Sequence, residues 1–326
     1  MKKILFAAAL SLPFGSAMAE TPELTIYTYD SFVSDWGPGP QIKAAFEAEC
    51  DCTLKFVGAG DGAALLSRLR LEGTRTEADI VLGLDNSLLE QARGLGIFAP
   101  LAAAPEGLAL PVDWQDDTFV PYDWGYLAFI YDNTKIPTAP TSFAELADSD
   151  LKIIIQDPRS STPGLGLVLW VKAAYDDDAA NIWAGLADNI VTVAKGWSES
   201  YGMFLEGEAD LVLSYSTSPS YHIIAEQDTS KSFARFSEGH YMQIEVAAKL
   251  AGSGQQELAD QFMAFITTDA FQSVIPETNW MYPATAVALP PLFDAQTPPQ
   301  PVDGPLIVSD DDRKAAVDEW VRVLSQ

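Results

Sequence analysis

Basic residues are what this 326-residue chain most lacks: 19 lysines and arginines stand against 46 aspartates and glutamates, for a formal charge of −27. So acidic a surface repels nucleic acid and anionic membranes and draws cations toward it. Histidine is scarce too, with only His222 and His240. Two scattered histidines do not complete a zinc site around the chain's two cysteines, Cys50 and Cys52. There is no HExxH, no Gly-x-Ser-x-Gly elbow and no defensible Ser–His–Asp set, which removes the commonest hydrolase signatures. Beyond the first dozen residues no apolar run approaches the ~18 residues of a transmembrane helix, so no membrane anchor is expected. Core material is not short, however. At 48% hydrophobic residues the chain is well outside the disordered range.

The start of the chain reads as an export leader. Lys2 and Lys3 precede an apolar run over 4–12, and Ala17-Met18-Ala19 is an A-x-A cleavage site, predicting a mature chain from Glu20. Export places Cys50 and Cys52 in an oxidising compartment, where they can bond to each other. The ring so closed is small and strained, and a structural or idle pair is expected rather than a reactive one.

Short β-rich runs alternate with helical patterns from residue 23 onward. Residues 24–29, 53–57 and 79–84 read as buried strands, and 41–49, 62–72 and 87–95 carry apolar residues at helical spacing. A βαβαβ order of this kind implies a parallel sheet. The apolar, aromatic stretch 119–131 suits a crossing strand. It is followed by strands over 152–156, 190–194 and 210–215 and helices over 163–175, 179–188 and 198–207. A return crossing is expected over 241–249, then a helix over 255–267, a proline-rich wrap at 290–305 and a terminal helix near 312–324. The expected organisation is a hinged pair of α/β lobes. The first covers 20–119, the second 120–244, and 245–326 returns to the first and ends in the terminal helix.

Ligands of open α/β sheets sit beyond the carboxyl ends of the strands. Here those ends carry Tyr29-Asp30, Gly60-Asp61-Gly62 and Asp85, then Asp157, Trp197 and Tyr215-Ser216-Thr217-Ser218. Rings and carboxylates without bases suit a flat heteroaromatic cation, since aromatic faces attract positive charge by their quadrupole. Each of these tyrosines and tryptophans taken singly could equally be filling a core. In Ser160-Ser161-Thr162-Pro163-Gly164-Leu165-Gly166, Thr162 fits an N-cap and Pro163 the first helical position. Free N–H groups and hydroxyls at such a start make either an ordinary cap or a site for an anion such as a phosphate ester. Gly58-Ala59-Gly60-Asp61-Gly62 is not a nucleotide loop, and a structural role is expected for His240. The acidic triplets 176–178 and 310–312 lack calcium-loop spacing and read as turns or helix starts.

Several of these stretches closely resemble the periplasmic thiamine-binding proteins of bacterial ABC importers. The resemblance runs through Tyr27-Thr28-Tyr29-Asp30-Ser31-Phe32, Asp35-Trp36-Gly37-Pro38-Gly39-Pro40, Val81-Leu82-Gly83-Leu84-Asp85-Asn86 and Gln156-Asp157-Pro158-Arg159. It continues in Lys195-Gly196-Trp197-Ser198-Glu199, Asp210-Leu211-Val212-Leu213-Ser214-Tyr215, Phe236-Ser237-Glu238-Gly239-His240-Tyr241 and Asn279-Trp280-Met281-Tyr282-Pro283. It implies a type II periplasmic-binding fold, two α/β lobes joined by a hinge of crossing strands. It also implies a monomeric, non-catalytic receptor without a cofactor, which takes thiamine, its monophosphate and its diphosphate to an inner-membrane permease driven by an ATPase. Carried over, the family's ligand contacts fall on Asp61, Gly62, Ser161, Thr162, Trp197, Tyr215, Ser216, Thr217 and Ser218. Tyr29, Tyr221 and Trp280 match its aromatic positions. Ser216 stands where the family has threonine, which bears on phosphate preference.

Two rival classes remain at this stage. A thiaminase-like enzyme would need a cysteine nucleophile, and Cys50 and Cys52 precede the second strand, on the wrong side of the sheet. A receptor for iron would want paired tyrosines with open coordination. One for a polyamine would want more carboxylates than Asp30, Asp61 and Asp85.

Overall fold

Apolar runs without polar interruption can be covered on both faces of a sheet, and the chain uses them so. The computed structural model describes residues 21–325; the leader and its cleavage site lie outside them. The first unit runs β1 (Glu23–Thr28), α1 (Gly39–Glu47), β2 (Thr53–Gly58), α2 (Gly62–Glu72), β3 (Ile80–Asp85) and α3 (Leu89–Gly94). A long strand, β4 (Phe119–Asp132), then carries the chain into the second unit: α4 (Phe143–Ala147), β5 (Ile153–Gln156), α5 (Thr162–Tyr175), α6 (Ala179–Leu186), β6 (Ile190–Ala194), α7 (Trp197–Leu205), β7 (Leu211–Tyr215), α8 (Ser218–Tyr221) and β8 (Lys231–Phe233). The return is β9 (Met242–Lys249), followed by α9 (Gln256–Phe265), α10 (Asp269–Gln272), α11 (Ile275–Thr278), β10 (Tyr282–Pro283) and α12 (Asp310–Leu324).

The strand order β2-β1-β3-β9-β4-β7-β5-β6 explains the two-lobe shape. Parallel strands lie on either side, β2, β1 and β3 in one lobe and β7, β5 and β6 in the other. Between them run the antiparallel crossing strands. β4 pairs with β9 over 119–126 and with β7 over 127–131, so a single strand belongs to both sheets. A continuous backbone of that kind can bend without breaking the packing of either lobe, as a hinge must.

The expected elements form, with ends shifted by a residue or two. One shift matters. Ser161, not Thr162, is the N-cap of α5; Thr162 is its first residue and Pro163 its second, still within the turn where a missing N–H costs nothing. The tail also departs from the expected plan. Past residue 290 the chain runs mostly over the second lobe: Ser220 donates its hydroxyl to the Phe293 carbonyl at 2.5 Å and the His240 N–H to Gln300 at 2.8 Å, while the Asn86 amide of the first lobe reaches the Leu306 carbonyl at 2.7 Å. α12 packs on α5 and α6, its Trp320 edge-on to Trp183 with ring centres 6.5 Å apart. Its buried face, with Ala316 and Trp320, covers apolar surface of those two helices.

Cys50 and Cys52 are joined in a disulfide and sit in the first lobe's core with Phe46 and Leu54. His240 is structural. It is buried against Trp170, its Nε2 accepts the Phe236 N–H at 3.1 Å and its Nδ1–H donates to the Leu127 carbonyl at 2.8 Å, and desolvation lowers its pKa to about 4. Of the acidic triplets, 176–178 forms a 3-10 turn. The other, 310–312, opens α12, whose N-cap Ser309 accepts the Asp312 N–H. No helix among the described residues is long and apolar enough to cross a membrane.

Candidate functional site

Where the two lobes face each other the structure encloses a cavity of about 550 Å³, within the usual range for small-molecule sites. Four helices begin at its wall. Gly62, Thr162, Trp197 and Ser218 are the first residues of α2, α5, α7 and α8, and all four line it. Helix starts present free N–H groups and partial positive charge. Part of that charge is already answered. Asp61, the residue before α2, accepts the Ser161 hydroxyl at 2.6 Å and the Trp197 N–H at 3.0 Å through Oδ2. One carboxylate of the first lobe is thereby tied to two helix starts of the second. Burial raises the Asp61 pKa from its ordinary value, with the bonds from Ser161 and Trp197 opposing the rise. Two glycines allow the approach: a Cβ on Gly62 would meet the Gly83 carbonyl at 2.4 Å, and one on Gly196 would press on the Asp61 carboxylate at 3.1 Å.

Aromatic rings form most of the remaining wall. Trp197 stacks on Tyr201 (centroids 5.1 Å, planes 22° apart) and meets Trp36 at 6.3 Å. Its Nε1–H donates to Ser214 Oγ at 2.8 Å, and Ser214 in turn bonds Ser218 at 2.8 Å, so the indole is held at both ends. Tyr221 and Trp280 pack edge to face at 5.3 Å. Trp280 has φ +55°, a left-handed backbone that bulky residues seldom adopt. Strain of this kind, of order 1–3 kcal/mol, gathers at binding sites where surrounding packing enforces it. Tyr29 donates its hydroxyl to Glu245 Oε2 at 2.9 Å and accepts the Asn279 amide at 3.0 Å. No lysine, arginine or histidine stands among the described residues lining the cavity, whereas Asp61, Glu245 and Glu277 do.

The walls thus combine stacking surfaces with carboxyl groups and no basic side chain, the chemistry of a site for an aromatic cation. The family model for bacterial extracellular solute-binding proteins matches residues 76–307. The thiamine-binding periplasmic protein of Escherichia coli K12 is 52% identical over 309 residues, covering 94% of both chains, and that of Salmonella typhimurium LT2 is 53% identical over the same length and shares. The chain belongs to the bacterial extracellular solute-binding protein family. A solved periplasmic thiamin-binding protein superposes with a TM-score of 0.91 at 51% identity, covering 97% of this chain and all of that one. The resemblance read from the motifs therefore extends across the chain, and the fold is that of the periplasmic binding proteins.

Of the twelve residues expected at this solute-binding protein's site, Tyr29, Asp61, Gly62, Thr162, Trp197, Tyr215, Ser218, Tyr221 and Trp280 line the cavity. Three do not. Ser161 is buried with its hydroxyl committed to Asp61, and Ser216 and Thr217 lie behind the wall in the turn from β7 to α8. Residue-level reasoning missed Trp36, Tyr201, Glu245 and Asn279. Glu245 did leave a signal, the one acid of a strand buried throughout, as did Asp123 in the buried first half of β4.

Proposed function

We propose that this protein is an exported, non-catalytic receptor that binds thiamine, its monophosphate and its diphosphate between its lobes and hands them to an inner-membrane ABC permease and its ATPase. The observation that carries the reading is a base-free cavity of aromatic faces and buried carboxylates. Thiamine offers such a cavity a thiazolium cation for the rings and an exocyclic amine for Asp61. The ester phosphates would meet the hydroxyls and N–H groups at the starts of α5 and α8, through Thr162 and Ser218. That its relatives are thiamine-binding periplasmic proteins supports the ligand and the compartment. The leader would be cleaved after Ala19, and a Cys50–Cys52 bond suits an oxidising compartment. The mature protein would act as a monomer without cofactor. Lobe 1 would comprise 20–119 and the return from 245, and lobe 2 would comprise 120–244 together with the tail that packs on it.

The enzyme rival loses its nucleophile, because the cysteines are bonded to each other and line no part of the cavity. Calorimetric titration of the mature protein with thiamine, paired with mass spectrometry of the copurifying ligand, tests the proposal. Saturable one-to-one binding is expected. A protein that binds no thiamine and copurifies with an unrelated solute would overturn it.

A further inference from the structure

The crossing strands carry acids that the ligand contacts above leave unused. Glu245 of β9 stands directly opposite Asp85 of β3 and Asp123 of β4. Directly opposed residues of antiparallel strands point to the same face, so three carboxyl groups form one row across three adjacent strands. Two bulges create the row. β3 carries an extra residue at Gly83 and β4 one at Tyr122, within a residue of each other along β9. Bulges re-aim side chains beside functional sites. Gly83 at φ +104° also makes room for Tyr29, whose ring would lie 2.3 Å from a Cβ there.

All three acids are buried, Asp123 completely. Glu245 Oε2 accepts the hydroxyls of Tyr122 at 2.6 Å and Tyr29 at 2.9 Å, and its Oε1 the Gln243 amide at 3.2 Å. Asp123 Oδ2 accepts the Asn279 amide at 2.6 Å, while no N–H or O–H reaches Oδ1. Asp85 Oδ1 accepts the N–H and hydroxyl of Ser87. Asp123 and Glu245 stand directly opposite each other on paired strands, both buried, and two carboxyl groups so placed hold one proton between them more readily than both ionise. The other groups acting on this pair are the phenols of Tyr29, Tyr122 and Tyr215, the amides of Gln243 and Asn279, and the acids Asp61 and Asp85. None is a base. Burial lifts Glu245 to about 7 against the Tyr122 and Tyr29 hydroxyls, and raises Asp123 well above the ordinary carboxylate range.

Of the row, Glu245 alone lines the cavity. We propose that the Asp123–Glu245 pair is the counter-charge for the ligand's ring cation: it shares one proton in the free protein and releases it to solvent when a quaternary heteroaromatic cation enters beside Glu245. No bond to the ligand forms or breaks, and the cation replaces the proton as the neutralising charge. The inference rests on the thiamine reading above. Because the bound state carries fewer protons, affinity rises as pH approaches about 7 and levels off above it.

The test is calorimetric titration of the mature protein with thiamine at fixed pH between about 6 and 8, in buffers of differing ionisation enthalpy. Wild type should release up to about one proton near neutrality. Glu245→Gln should bind at least about tenfold more weakly and release none, and Asp123→Asn should lose most of the release. The neutral aminopyrimidine alcohol, half of thiamine without its cation, should displace no proton from wild type and so decides the matter even if neither variant folds. Binding without release, release that persists in both variants (placing the proton elsewhere, as on Asp61), or equal release by the neutral fragment would overturn this inference alone. A wild type that binds no thiamine would overturn both it and the function it rests on.

Discussion

The acids that line the cavity, Asp61, Glu245 and Glu277, come from the first lobe and the crossing strands, whereas the second lobe brings no acid but rings and hydroxyls, Trp197, Tyr201 and Tyr221 with Thr162 and Ser218, to face Tyr29, Trp36 and Trp280. The two sides are held in place differently. The two buried acids are fixed by short bonds from named donors: Ser161 and Trp197 for Asp61, Tyr29, Tyr122 and Gln243 for Glu245. The rings are held by stacking and by bonds between neutral groups or at the exposed rim, such as Trp197 Nε1–H to Ser214, which tolerate displacement far better than a hydrogen bond to a buried charge. Removing an acid takes away the charge itself and leaves its buried donors without an acceptor, so replacing an acid should cost more than replacing a ring.

The largest effect is therefore expected at Asp61. Asp61→Ala removes the carboxylate that would take the ligand's amine and leaves the Ser161 hydroxyl and Trp197 N–H without their acceptor, and should weaken thiamine binding by about 3 kcal/mol. A calorimetric loss no greater than that of a ring substitution would erase the contrast between the two sides. Trp197→Ala and Trp280→Ala come next, at roughly 1–3 kcal/mol each from lost stacking and cation–π attraction. Unchanged affinity in both would take the rings out of the site.

Ser161→Ala sharpens the comparison further. Its hydroxyl serves Asp61 rather than the open cavity, so thiamine and its monophosphate should lose affinity alike, by about 1 kcal/mol. A selective loss for the ester, measured by paired titrations, would make Ser161 a direct phosphate contact. The smallest effect is expected far from both walls. Replacing Cys50 and Cys52 together by serine should leave thiamine affinity near wild type, and no thiamine cleavage should be detectable before or after. Turnover that disappears in the double variant would instead establish the enzyme.

Much of this was legible in the chain before folding. The alternation of apolar runs and helical spacing placed the strands and helices, because burial on a sheet and on a helix stripe demands different periods. Tyrosine, tryptophan and aspartate at the carboxyl ends of strands marked the site, because parallel strands deliver those ends to one side of the sheet. The contacts behind those residues could not be read this way. Ser161 looked like a phosphate ligand until Asp61, 100 residues away, was seen to take its hydroxyl. The terminal helix looked like part of the first lobe, but its apolar face finds cover on α5 and α6.

Composition and spacing alone fix that the chain folds as two α/β units and bring aromatic and acidic residues, with few bases, to the strand ends. These follow from composition and period, which are local properties. Which acids meet depends instead on how distant segments pair. Asp85, Asp123 and Glu245 are far apart along the chain, and each sits in a run that reads simply as a buried strand. Two facing bulges, one needing a glycine where the Tyr29 ring crosses, bring their carboxyl groups into a single row. Register across paired strands arises from packing between segments, and a one-residue slip would have turned the row to the opposite face of the sheet.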